Sequence, residues 1–276
     1  MNPLEILGYP ASLAMGIALG LTGGGGSILT VPIFVYLFGI GAVQATAYSL
    51  GLVGLVALWG AWGAYRQGDL HLTRALSFGI PGVLGVIFSR RILIPRMPAE
   101  LSLWGFTLSQ NSLLLIAFSL LMLLASISMI RSSRLAKNSS LQNKTLQESP
   151  TVSNLALILS GIGVGSLAGF VGAGGGFLIV PALVNIGRLD MKQAIGTSLF
   201  VIALQCLLGV LGDFQTLAQM NLHLFVIVAL LAIVGMSIGT KFRQRVSAAK
   251  LKLGFGIFVL VMGTLILFQE LGRGST

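Results

Sequence analysis

Apolar residues run through this chain in long stretches, and the polar residues fall between them. Eight stretches cover roughly Leu4 to Leu21, Val43 to Tyr65, Leu70 to Ser89, Leu108 to Ile130, Asn154 to Phe170, Gln193 to Gly212, Leu222 to Thr240 and Leu251 to Phe268. Each approaches the roughly 20 residues that a helix needs to cross a bilayer, allowing for tilt. A helix satisfies its own backbone polar groups in lipid, and the short alternating segments of a β-barrel are absent from the pattern. The pattern therefore predicts an all-α polytopic membrane protein. Two further apolar stretches, Ile28 to Phe38 and Phe177 to Ile186, are too short to span.

Composition strengthens this reading. The chain has 276 residues, of which 55% are hydrophobic and only 9% charged, against about 25% charged in an ordinary soluble domain. Mean hydropathy is +0.95. The formal charge of +10 would suggest nucleic acid in a soluble protein. Here the basic residues sit in short loops, where membrane topology and anionic lipid headgroups account for them, so no nucleic-acid partner is expected. Cys206 falls within a span and reads as a small packed residue; no disulfide framework or CxxC metal site is possible. Met1 to Pro10 carries Glu5 and no basic segment, so it does not read as a cleaved leader. An integral protein of a bacterial plasma (inner) membrane is expected, with its oligomeric state left open.

The chain also repeats itself. Residues 16–63 set against 165–212 at a constant offset of 149 give 17 identities in 48 pairs, including Gly23/Gly172, Gly25/Gly174, Gly26/Gly175, Pro32/Pro181, Gln44/Gln193 and Ser49/Ser198. After a three-residue shift, Asp69-Leu70-His71 faces Asn221-Leu222-His223. A polar stretch rich in Ser, Asn, Gln and Lys separates the halves and reads as a linker. The expected organisation is a first transmembrane repeat over 1–130, a cytoplasmic linker over 131–151 and a second repeat over 152–276. Internal repeats with the substrate site at their interface are a recurrent transporter plan.

The first span of each half ends in a glycine cluster: Gly23-Gly24-Gly25-Gly26-Ser27 and Gly172-Ala173-Gly174-Gly175-Gly176. Consecutive glycines break a helix and let backbone approach a ligand closely. Unwound backbone at membrane depth is tolerated where protein buries it or water reaches it. The short stretch after each cluster would begin a helix whose positive end points inward, a geometry that suits an anion. The expected substrate site is therefore the backbone of Gly23, Gly24, Gly25, Gly26 and Ser27 with Gly172, Gly174, Gly175 and Gly176. Polar side chains at the next helix starts would complete it: Gln44, Thr46, Ser49, Gln193, Thr197 and Ser198. Scattered glycines such as Gly51, Gly54, Gly82 and Gly85 read instead as helix-packing residues. Neither cluster is a P-loop, because no Gly-Lys-Ser/Thr follows.

The duplicated pattern of glycine cluster, Val-Pro and Gln-Ala resembles the TauE/SafE sulfite exporter family. It reads Gly23 to Pro32 in the first half and Gly172 to Pro181 in the second, followed there by Gln193-Ala194-Ile195-Gly196-Thr197-Ser198. The resemblance covers the chain apart from the linker. It implies export or uptake of small sulfur-containing anions, such as sulfite, sulfonates or sulfoacetate, and the expected function is an exporter working by alternating access between the two breaks. The first half departs from the pattern with Thr46-Ala47-Tyr48-Ser49.

Competing chemistry has little support in the residues. Asp69, Asp190 and Asp213 fall at span ends and read as solvated interfacial charges; Arg74 sits about one turn into its span, and His71 and His223 occupy matching span starts and read as structural. No carboxylate lies well inside a span, so no dedicated proton carrier is expected. An intramembrane enzyme acting on lipid or peptide is the alternative class, but the spacing draws no nucleophile and base together. No catalytic residue, metal site or cofactor is expected.

Two topologies compete. If all eight long spans cross, Lys and Arg divide ten against seven. If the first span of each half and its short partner form a re-entrant hairpin, the repeats are inverted and the division is thirteen against four, with the linker on the basic side. The positive-inside rule favours the second arrangement.

Overall fold

The computed structural model describes residues 3–97, 100–103, 106–138, 154–172, 174–211, 220–243 and 248–273. The apolar stretches fold as helices: α1 (Pro3–Thr22), α3 (Ala42–Arg66), α4 (Leu72–Phe88), α5 (Gln110–Asn138), α6 (Asn154–Val171), α8 (Met191–Val210), α9 (Leu222–Phe242) and α10 (Ala248–Arg273). The short stretches form half-helices α2 (Gly25–Leu37) and α7 (Gly176–Asn185). Six helices among the described residues are long and apolar enough to cross a membrane by length and composition. Leu, Trp and Tyr side chains such as Leu84, Leu124, Trp62 and Tyr65 point outward, more than half exposed, as a lipid-facing surface requires.

Two local features depart from the expected pattern. A two-stranded antiparallel hairpin, β1 (Glu100–Leu103) with β2 (Phe106–Ser109), precedes α5. Its second strand takes Leu108, where the apolar run predicts helix. In addition, α5 continues to Asn138, so the first residues of the expected linker are helical, and residues 139–153 lie outside the described ones. Asp213 also lies outside them.

Each α1 and α6 turns back on itself at its glycine cluster. α2 returns alongside α1: Gly8 lies against the Phe38 ring, and Tyr9 and Phe38 stack edge-on with centroids 5.6 Å apart. α2 is itself irregular, passing from a 3₁₀ turn (Gly25–Leu29) to a π-turn (Ile33–Leu37) just after Pro32. Proline has no N–H to offer its preceding turn, and a π-turn is one way for the helix to re-form.

The two repeats are interleaved, and glycines set the pairing. α1 packs along α9 where Gly16 meets Ala232, Gly20 meets Gly239, and Gly235 meets Leu13. α4 packs along α6 where Gly161 meets Phe78, Gly165 meets Gly82, and Gly169 meets Val86. Residue numbers rise together from Gly16 with Ala232 to Gly20 with Gly239, and from Gly161 with Phe78 to Gly169 with Val86, so both pairs are parallel. Small residues let these backbones touch, the main source of helix association in lipid, and Gly82 and Gly85 serve that role as expected. α3 and α8, which are equivalent helices, pair differently: Gly51 lies by Val210, Gly54 by Leu207 and Gly60 by Leu199. Their numbers run in opposite senses, so the two equivalent helices are antiparallel at the centre of the molecule.

Candidate substrate site at the glycine breaks

Gly23 and Gly172 are equivalent positions, and both have left-handed backbone, with φ of 74° and 73°. That conformation ends α1 and α6 and is strained for any residue with a Cβ. Their surroundings are reciprocal. A Cβ on Gly23 would strike Ile195, and one on Gly172 would strike Thr46. Positions 46 and 195 are themselves equivalent at the 149-residue offset. Each break is therefore covered by the start of the other repeat's long helix.

The breaks also meet each other. A Cβ on Gly24 would lie 2.6 Å from the Cα of Gly176. A Cβ on Gly174 would lie 2.9 Å from Cys206 Sγ, 3.0 Å from Val53 and 3.2 Å from Ile202. Val53 and Ile202 are equivalent residues near the middle of α3 and α8, so the two breaks come together near the midpoint of the central helix pair.

The predicted polar side chains divide by what they bind. Ser27 is buried and donates to Gly24 O at 2.6 Å, closing its own turn. Ser198 donates across the repeats to Gly23 O at 2.6 Å and shares its proton with Ile195 O at 2.8 Å. Thr197 accepts from the His71 backbone N–H at 3.1 Å, and Tyr48, its equivalent, accepts from the Asn221 N–H at 2.6 Å. The bulk of Tyr48 thus has a structural use: it reaches the opposite repeat's loop as Thr197 does. Thr46 donates to Val43 O at 2.7 Å and accepts from Arg90 Nη1 at 3.0 Å. Gln44 is exposed and Gln193 partly so, both in the first turn of their helices and apart from the buried breaks. Gly25, Gly26 and Gly175 are buried, as are Gly23, Gly24, Gly172, Gly174 and Gly176.

Among the described residues, the buried side-chain atoms Ser49 Oγ, Thr30 Oγ1 and both amide atoms of Gln205 have no hydrogen-bond partner. Ser49 is the equivalent of the bonded Ser198, and Thr30 lies on α2 one turn beyond the first break. Buried polar atoms are rarely left unpaired, because each forfeits hydrogen bonds to water.

Two charged residues read from the sequence as loop charges are in fact buried. Arg90 is 2% exposed, drawn in by the π-turn Ser89–Leu93 that extends α4. Asp69 is 6% exposed and is not the solvated interfacial charge expected. It pairs with Lys192 at 3.2 Å and Arg243 at 3.6 Å, joining the α3–α4 loop to α8 and to the end of α9. Burial lowers the pKa of Arg243 from its ordinary value, and Asp69 beside it works in the opposite direction. Glu270 lies just past the expected end of the last span, is 2% exposed and accepts from Tyr36 of α2 at 3.4 Å. Repeat matching could have flagged Gln205, since its counterpart is Val56. No local signal marks Arg90. Among the described residues no cluster of three or more His, Cys, Asp or Glu could hold a metal.

A family model described as sulfite exporter TauE/SafE matches residues 9–266. The chain is 30% identical to a probable membrane transporter protein of Xylella fastidiosa over 93% of its own length and 92% of the relative's. It is 27% identical to the probable membrane transporter protein YdhB of Bacillus subtilis, covering 92% and 96% of the two chains. A probable membrane transporter protein of Methanocaldococcus jannaschii is 23% identical over 95% and 96%. No solved structure matches it significantly.

Proposed function

Given that the chain belongs to the sulfite exporter TauE/SafE family, we propose that this integral membrane transporter carries small anions, in particular sulfite or organosulfonates, by alternating access at the glycine breaks. The observation that carries the reading is the meeting of two broken helices, together with the unpartnered hydroxyls of Thr30 on α2 and of Ser49, which stands on α3 between Thr46 at Gly172 and Val53 at Gly174. An anion takes hydrogen bonds from hydroxyls and from unwound backbone, and a fixed carboxylate there would repel it.

We read the two halves as inverted repeats, each with a re-entrant hairpin followed by three crossings. The antiparallel pairing of α3 with α8 supports this, as do the parallel pairings of α1 with α9 and α4 with α6. In that topology Asp69, Lys192 and Arg243 share the linker side, which the excess of Lys and Arg assigns to the cytoplasm of a bacterial inner membrane. Their ion pairs then close that side in this conformation.

The test is flux of labelled sulfite and of a sulfonate into liposomes containing the purified protein. Saturable anion flux is expected. Flux of neutral or cationic solutes with none for any anion would overturn the proposal, and a hydrolysed lipid or peptide product would mark an enzyme instead.

A further inference from the structure

We propose that Gln205 contacts the transported anion and selects anions that carry a hydrogen-bond donor as well as acceptor oxygens. This inference rests on the transporter reading above. Gln205 is fully buried on α8, and neither its Nε2 nor its Oε1 has a hydrogen-bond partner. The amide head lies over Gly82 of α4, where a Cβ would overlap Nε2. One position on, Cys206 lies against Gly174, as does Ile202 one turn back. Gln205 therefore lines the α4–α8 seam, on α8 between two residues, Ile202 and Cys206, that lie against the second glycine break.

Packing does not account for the amide. The equivalent position in the first repeat is Val56, which is equally buried. An apolar side chain serves there, and burying an unpaired carboxamide costs stability that an apolar side chain of similar size would not. A residue that lowers the stability of the empty protein is retained where function requires it.

The chemistry of the head group defines the ligand. A carboxamide has N–H donors on one side and a carbonyl acceptor on the other, and here both are unpaired. An anionic oxygen satisfies the N–H groups. The carbonyl oxygen is satisfied only by a ligand that also donates, through a hydroxyl, an ammonium or a protonated oxygen. A fully deprotonated anion without a donor would leave that carbonyl unpaired next to negative charge.

The experiment is calorimetric titration of the full-length protein in detergent with 2-hydroxyethanesulfonate and with ethanesulfonate. Both probes are singly charged at neutral pH and similar in size. The wild-type protein is expected to bind the hydroxylated anion about tenfold more tightly, the equivalent of one good hydrogen bond. Gln205→Leu and Gln205→Met should bring the two affinities within roughly twofold, while the ligand-free melting temperature stays level or rises. Equal wild-type affinities would overturn the inference. So would a preference retained in the variants, or a failure of both variants to fold, which would make the amide a structural element. If the wild-type protein binds neither probe nor sulfite, the anion-transport reading itself fails, and this inference falls with it.

Discussion

Ser49 and Ser198 occupy equivalent positions, yet the structure assigns them opposite consequences on truncation. Ser198→Ala removes the hydroxyl that holds Gly23 O at 2.6 Å, leaving a buried carbonyl without that donor at the point where α1 breaks. A buried acceptor left unsatisfied costs about 1–3 kcal/mol. The Ser198 proton is shared with Ile195 O at 2.8 Å, so the lower part of that range applies, about 1–2 kcal/mol. Ser49→Ala removes a hydroxyl that bonds nothing. Its stability should be unchanged or raised by up to about 1 kcal/mol, since an unpaired buried hydroxyl is itself unfavourable. Transport should behave in the reverse order. Ser49→Ala should lose most of its anion affinity, whereas Ser198→Ala should lower the melting temperature by several degrees and keep measurable flux. The assay is a thermal melt of each variant in detergent, paired with sulfite flux in liposomes. If both variants lose stability equally, or Ser49→Ala transports normally, the assignment of Ser49 as a ligand donor is wrong.

Further expectations concern the breaks, the charged cluster and the driving force. Gly176→Ala places a methyl group against the backbone of Gly24, so transport should be lost while membrane insertion remains, as judged by normal expression and elution without flux. In the Asp69 cluster, Arg243→Gln should perturb more than Lys192→Gln, because the Arg243 side chain is 12% exposed and that of Lys192 61%. The readout is the accessibility of a cysteine introduced beside Gly23 to a reagent added from the linker side; equal accessibility in both variants would argue against a closing role. Flux should follow a clamped membrane potential, which contributes about 2.3 kcal/mol per charge per 100 mV. Flux that ignores the potential and follows only a pH gradient, after correction for sulfite's own titration, would point to Glu270 or Asp69 as a proton carrier.

Much of this architecture is local information, and the sequence alone determines it. Apolar length selects transmembrane helices, the 149-residue offset reveals the duplication, and glycine runs locate the breaks. Each signal is written into a contiguous segment, because a helix in lipid satisfies its backbone within itself. What the tertiary structure decided is which surfaces meet. Nothing local says that Gly23 lies under Ile195 and Gly172 under Thr46, or that equivalent helices α3 and α8 run antiparallel. Small-residue stripes permit close packing with many partners, so a glycine's neighbour depends on the whole assembly. The same holds for the buried charges. Arg90 and Asp69 stand at helix ends, where sequence alone reads them as solvated, and it is the opposite repeat folding over Asp69 and the π-turn turning Arg90 inward that bury them. Gln205 shows the division within one residue. Its departure from Val56 is visible in the repeat, but its unpaired amide over Gly82 exists only once α4 and α8 are packed.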